Sequence, residues 1–182
     1  MDWISYVALV AAIAANSAPA PEHSPAPASA QAVLFNALKG RWYCNGAFAN
    51  GKKIGAALTV STDLDGFGLR LVHSDRPPNN YRAEETWSRD SASGKLVSLA
   101  WLGMRGSPEK SPALYVADEL SANSVTFVQQ QLLAPPWTPN RFRYVVEGRS
   151  FHIYWETLSG GEWRLGDSLS CLPAASTDRR RN

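Results

Sequence analysis

From Arg41 onward, apolar and polar residues alternate in short runs, with turn-forming residues between them at roughly eight- to twelve-residue intervals. A period of two is the mark of a strand with one face buried. In Arg41–Phe48, Trp42, Cys44, Gly46 and Phe48 share one face, and Arg41, Tyr43, Asn45 and Ala47 share the other. Asn50-Gly51 then turns the chain into Lys53–Thr62, where Ile54, Ala56, Leu58 and Val60 alternate. Asp65-Gly66 leads into Phe67–His73, with Phe67, Leu69 and Leu71 on one side. Further runs are Tyr81–Arg89, Lys95–Leu102, Leu114–Leu120, Ser124–Leu133, Arg141–Glu147, Ser150–Leu158 and Glu162–Cys171. Pro77–Asn80, Gly103–Pro112 and Leu133–Asn140 read as loops. Upstream, Gln31–Lys39 predicts two turns of helix with Val33, Leu34, Ala37 and Leu38 on one side, ended by Gly40 and suited to plug one end of a barrel.

About ten short strands without helical crossovers imply an antiparallel all-β domain. The architectures that fit are an up-and-down barrel of about 8–10 strands, preceded by the short helix, or a sandwich. The barrel is preferred. The two cysteines, Cys44 and Cys171, lie in the first and last strands, which are expected side by side. Two distant cysteines in an exported chain suggest one disulfide; the alternative is two buried thiols. Without a CxxC or HxxxH partner they do not make a metal site.

Residues 1–17 read as a signal peptide or N-terminal anchor. Trp3–Ala15 is apolar but too short to span a bilayer. Met1-Asp2 lacks the usual positive charge, and Pro19 and Pro21 obstruct cleavage before them, so an uncleaved anchor or a start further upstream are the alternatives. Residues 18–30 are an Ala/Pro-rich tether, 31–173 the barrel domain, and 174–182 a basic tail with Arg179, Arg180 and Arg181. The expected location is periplasmic or secreted, with no stable membrane span after cleavage. A formal charge of +2 is too small to imply a nucleic-acid partner. An apolar share of 45% with seven tryptophans is enough to fill a sizeable core.

Gly40-Arg41-Trp42 after a short helix and at the head of the first strand resembles the GxW signature of the lipocalin-like (calycin) superfamily; membership of an uncharacterised bacterial family of such barrels is the alternative. The resemblance implies a barrel whose Trp42 packs across the closed end, with a basic residue of a late strand over its ring. Arg164 is the position that matches, ahead of Arg149 and Arg143; such stacking contributes about 0.5–2 kcal/mol. A TDY-like turn, another lipocalin signature, is absent. Gly40-x-Trp42-x-x-x-Gly46 also resembles the start of nitrobindin-type haem barrels, which carry glycine where Cys44 stands and a late histidine ligand. His152 is the late histidine here, so haem is the alternative to a protein without a cofactor.

The chain offers little that is catalytic. Gly166-Asp167-Ser168-Leu169 spells the GDSL esterase motif, but it lies in the last strand with no histidine after it, so Ser168 has no base. His73 and His152 read as structural or surface residues. Glu84 and Glu85 are adjacent and face opposite ways, which rules out a shared dyad. If Glu85 faces inward with Ala83 and Trp87 it needs a partner, and Arg70 or Arg143 would serve; otherwise its face is solvated. The cavity candidates are Glu85, Trp87, Trp101, Phe127, Gln129, Gln131, Tyr144 and Trp155; for the two glutamines an outer, solvated face is the alternative. The leading function is an exported barrel that binds a small, partly apolar molecule. The alternatives are an envelope interaction module acting through its loops and Trp137, and a barrel enzyme (an isomerase or hydrolase), which convergence of His73 or His152 with Glu85 would favour.

Overall fold

The computed structural model describes residues 29–130 and 138–174. One helix, α1 (Ala30–Leu38), is followed by ten strands. These are β1 (Gly40–Phe48), β2 (Lys53–Asp63), β3 (Gly68–Asp75), β4 (Tyr81–Arg89) and β5 (Leu96–Met104), then β6 (Lys110–Leu120), β7 (Ser124–Gln130), β8 (Asn140–Glu147), β9 (Ser150–Ser159) and β10 (Glu162–Pro173). Each strand pairs antiparallel with its sequence neighbour, and β1 also pairs with β10, so the sheet closes into a barrel. The expected architecture is therefore the observed one. Residues 1–28 and 175–182, on which the expected leader, most of the expected tether and the expected basic tail fall, lie outside the described residues, as do Gln131 and Trp137.

The helix plugs one end. Ser29 caps it, its Oγ accepting from the Ala32 N–H at 3.3 Å. Leu34, Phe35 and Leu38 are buried in the closed end of the barrel, whereas Val33 is exposed; the buried stripe runs one residue later than the sequence pattern suggests. Gly40 joins helix to strand at φ +136°, a conformation open to glycine, and the bend brings Trp42 back under the helix. The Trp42 indole N–H donates to the Leu38 carbonyl oxygen at 2.8 Å, satisfying a helix-terminal acceptor that lacks an intrahelical donor. The ring of Trp42 meets Phe151 edge-on at 4.7 Å. Trp87, Phe127 and Tyr144 cluster above it at centroid distances of 4.8 to 6.4 Å. This half of the barrel is solid.

Several expectations need correction. Phe67 is 79% exposed, because the chain makes a short 3₁₀ turn (Leu64–Gly66) and β3 begins only at Gly68. The Gly103–Pro112 loop shrinks to residues 105–109, since β5 and β6 extend into it and Pro112 pairs with Trp101. Arg164 does not cover Trp42. It is exposed and pairs with Thr157, nine positions along β10 from Pro173, the partner of Trp42, which places it roughly 30 Å away at the other end.

Cys44 and Cys171 are direct cross-strand partners on β1 and β10 and form a disulfide spanning 127 residues of sequence. The bond sits in the interior at the seam where the barrel closes, and both sulfurs are buried. In the chain-entropy account a loop of this length is worth about 5 kcal/mol. Cys44→Ser with Cys171→Ser should lower the unfolding free energy by as much as about 5 kcal/mol, read from denaturant midpoints at constant slope. An unchanged midpoint would show that strand pairing alone holds the seam.

Candidate functional site

Away from the helix the barrel is hollow. A cavity of about 790 Å³ opens at the end opposite α1, within the size range of small-molecule sites. Its floor is the upper surface of the solid core, with Glu85, Tyr144, Ile153 and Leu169. Its walls carry Tyr115, Phe142, Trp155, Leu102 and Phe48. At the mouth stand His73, Asp75, Tyr81, Glu109, Asn140, Thr157 and Asp167. The strand period delivers these groups. His73 and Asp75 are two apart on β3, Tyr81 and Glu85 share a face of β4, and Asp167 pairs with Trp155 across β10 and β9.

Glu85 is the buried acid at the floor. Its carboxylate accepts from Trp87 Nε1 at 2.8 Å, Ser98 Oγ at 2.9 Å and the Tyr144 hydroxyl at 3.2 Å. Three neutral donors take the place of the arginine anticipated from the sequence. Arg70 pairs with Glu84 on the outer face, and Arg143 lies outside over Tyr154. Burial, and after it the negative charge of Glu85, pushes the hydroxyls of Tyr81, Tyr115 and Tyr144 well above the ordinary tyrosine range, so all three remain protonated donors.

The mouth is arranged differently. His73 Nε2 lies 2.7 Å from Asp75 Oδ1, with the ring edge-on to Tyr81. Asp75 is 3% exposed, and its backbone carbonyl accepts from Arg105 Nη2 at 2.8 Å. The Asp167 carboxyl makes no hydrogen bond or ion pair among the described residues. Burial pushes its carboxyl up to about 6; nearby His73 opposes the shift and Asp75 adds to it. A tight backbone contact shapes the wall beside it. At the β-bulge in β10 a Cβ on Gly166 would lie 2.3 Å from the Trp155 ring, so glycine is what allows the indole to lie against the strand.

Of the eight cavity candidates, Glu85, Tyr144 and Trp155 line the space, and Trp87 and Phe127 pack beneath it. Gln129 pairs across from Tyr115, and its Oε1 accepts from Asn140, which lines the cavity. Trp101 is on the outside, 52% exposed, because the inward face of β5 is Leu96, Ser98 and Ala100. His152 is also outside, 3.3 Å from Glu147, so it does not fit as a ligand for a haem held in the cavity. Sequence reasoning missed Asp75, Tyr81, Asn140 and Asp167 as site residues. Asp167 was visible inside the rejected GDSL string; Ser168, its neighbour, alternates away from the cavity.

No protein-family model matches this chain, and no curated protein matches it. Among the described residues no three His, Cys, Asp or Glu side chains are grouped to hold a metal ion, and no helix is long and apolar enough to cross a membrane.

Replacing Glu85 tests the floor. Glu85→Leu strands three buried donors and should cost about 2–4 kcal/mol, with Glu85→Gln costing less because one carbonyl oxygen remains. Denaturant unfolding of the two variants reads the difference, and equal costs would refute the three-donor account. Asp167 gives a pH signature. Its folded value of about 6 exceeds the ordinary 3.8, so the native state holds the proton more tightly. Stability therefore falls as pH rises from about 4 to about 6 and stays reduced above. Asp167→Asn should flatten this slope and raise stability at pH 7 by no more than roughly 3 kcal/mol.

Proposed function

We propose that this chain is an exported, lipocalin-like barrel that binds a small, partly apolar molecule. The observation that carries the reading is the cavity of about 790 Å³, closed by a helix at one end and open at the other, with aromatic walls and a few polar groups. The closed antiparallel barrel, the short plugging helix and Trp42 bonded to its last turn are compatible with the superfamily that the GxW string resembles. The disulfide supports an oxidising location, periplasmic or extracellular.

A second reading is a barrel enzyme. The observation in its favour is a histidine inside the cavity, oriented by a buried aspartate at 2.7 Å, with Glu85 in the same wall. His73 in that setting has the geometry of a general base. Turnover of a bound compound, lost in His73→Gln while binding survives, would move the balance to this reading.

The binding reading is tested with a neutral apolar dye such as Nile red. Saturable fluorescence enhancement at one site is expected, with loss of at least about tenfold in affinity for Leu102→Trp, which fills the cavity. Equal binding by the filled variant, or no saturable binding at all, would refute it.

A further inference from the structure

The charged groups facing the cavity are nearly all of one sign. They are Asp75, Glu85, Glu109 and Asp167, with His73 beside Asp75; among the described residues no lysine or arginine lines the space. The chain as a whole is mildly basic, at +2, so the asymmetry belongs to the site and not to the composition. The nearest arginines are engaged on the rim. Arg105 Nη2 donates to Ser74 Oγ and to the Asp75 carbonyl, and Arg76 Nη2 donates to Asn45 Oδ1 while stacking on Tyr43.

The hydrogen-bond inventory points the same way. Glu85 is satisfied by three donors and is part of the wall. Asp75 has His73. Asp167 has no donor among the described residues. Asn140 is 4% exposed and lines the cavity, and its Nδ2 is spent on Gln129. Its Oδ1 is buried and has no donor among the described residues. A buried acceptor without a donor costs about 1–3 kcal/mol, and a donor brought by a ligand would remove that cost. Asp167 and Asn140 flank Trp155 and Thr157 of the intervening strand, so the vacant acceptors border an aromatic wall.

We propose that the molecule held in this cavity is an organic ammonium ion, a protonated amine on an apolar or aromatic body, with its charge against Asp167 at the mouth and its donors completing the acceptor set that includes Asn140. Tyr81 and Trp155 add faces on which a cation is attracted. A metal ion is a poorer fit, because no three ligating side chains are grouped among the described residues. This inference rests on the binding reading above and specifies its ligand.

The test uses three matched probes on the full chain at pH 8, where the Asp167 carboxyl is ionised: 4-phenylbutylamine, 4-phenylbutanol and 4-phenylbutyrate. Calorimetry or tryptophan fluorescence reads affinity. The amine should bind at least about tenfold tighter than the alcohol, and the carboxylate weakest, a gap in keeping with one charge-assisted contact in a partly dry site. In Asp167→Asn the amine-to-alcohol ratio should fall by about tenfold, and a ratio is readable independently of the variant's stability. Alcohol and amine binding alike, or a preference for the carboxylate, overturns the ammonium assignment and leaves the binding barrel standing. Failure of all three probes to bind counts against both.

Discussion

Closure of the sheet through β1 is the constraint on which the rest of the molecule depends. β1 pairs with β2 on one side and with β10 on the other, and Cys44 and Cys171 link that second pairing in the interior. The same strand begins at Gly40, whose backbone turn delivers Trp42 to the last carbonyl of α1. Strand closure, disulfide and helix plug thus share one nine-residue segment. Opening the seam would expose two unpaired edges and withdraw the residue that anchors the plug. Long-range pairing of this kind is entropically costly to form, which is why a covalent link is most effective there.

Ten strands enclose more space than side chains readily fill; an eight-stranded barrel is already about wide enough for its own interior. The chain resolves this in two ways along one axis. At the helix end it inserts α1 and stacks Trp42, Phe151, Trp87, Phe127 and Tyr144. At the other end the lining includes Ser111 and Thr157, too small to meet across the middle. The hollow therefore follows from strand number and residue size together. Glu85 marks the boundary: three donors converge on it, whereas above it the Asn140 side-chain carbonyl oxygen has no donor among the described residues.

Much of the fold was legible because period-two alternation with turn residues is a strong local signal. Strand number and antiparallel order follow from it; the helix has its own apolar side ended by Gly40, and the disulfide follows from two cysteines placed in the first and last strands. Orientation was less legible where both faces of a strand are apolar. In β5, Leu96, Ser98, Ala100 and Leu102 oppose Val97, Leu99 and Trp101, and nothing in the pattern says which set faces in. Arg164 failed for another reason: the match rested on being late in the chain and beside Trp163, whereas register places it beside Thr157 at the far rim. The mouth was hardest to read. Asp75 and Asn140 look like ordinary polar strand ends and Asp167 like a polar position within a strand, and only closure turns these three strands toward one volume.

The two acids at the ends of this axis show why burial alone does not make a carboxyl functional. Glu85 and Asp167 both face the interior, yet they differ in what surrounds them. Donors converge on Glu85, so the cost of desolvating it is offset within the protein and the group is committed to holding Tyr144 and Trp87 in place. Asp167 has desolvation without donors, a state that a folded protein keeps only at a cost to its own stability. A substitution as small as asparagine would remove that cost, and the wall beside it is already shaped by a glycine that admits Trp155. The destabilised group, the vacant Asn140 acceptor and the aromatic wall lie at the open end, where a molecule entering from solvent would meet them first.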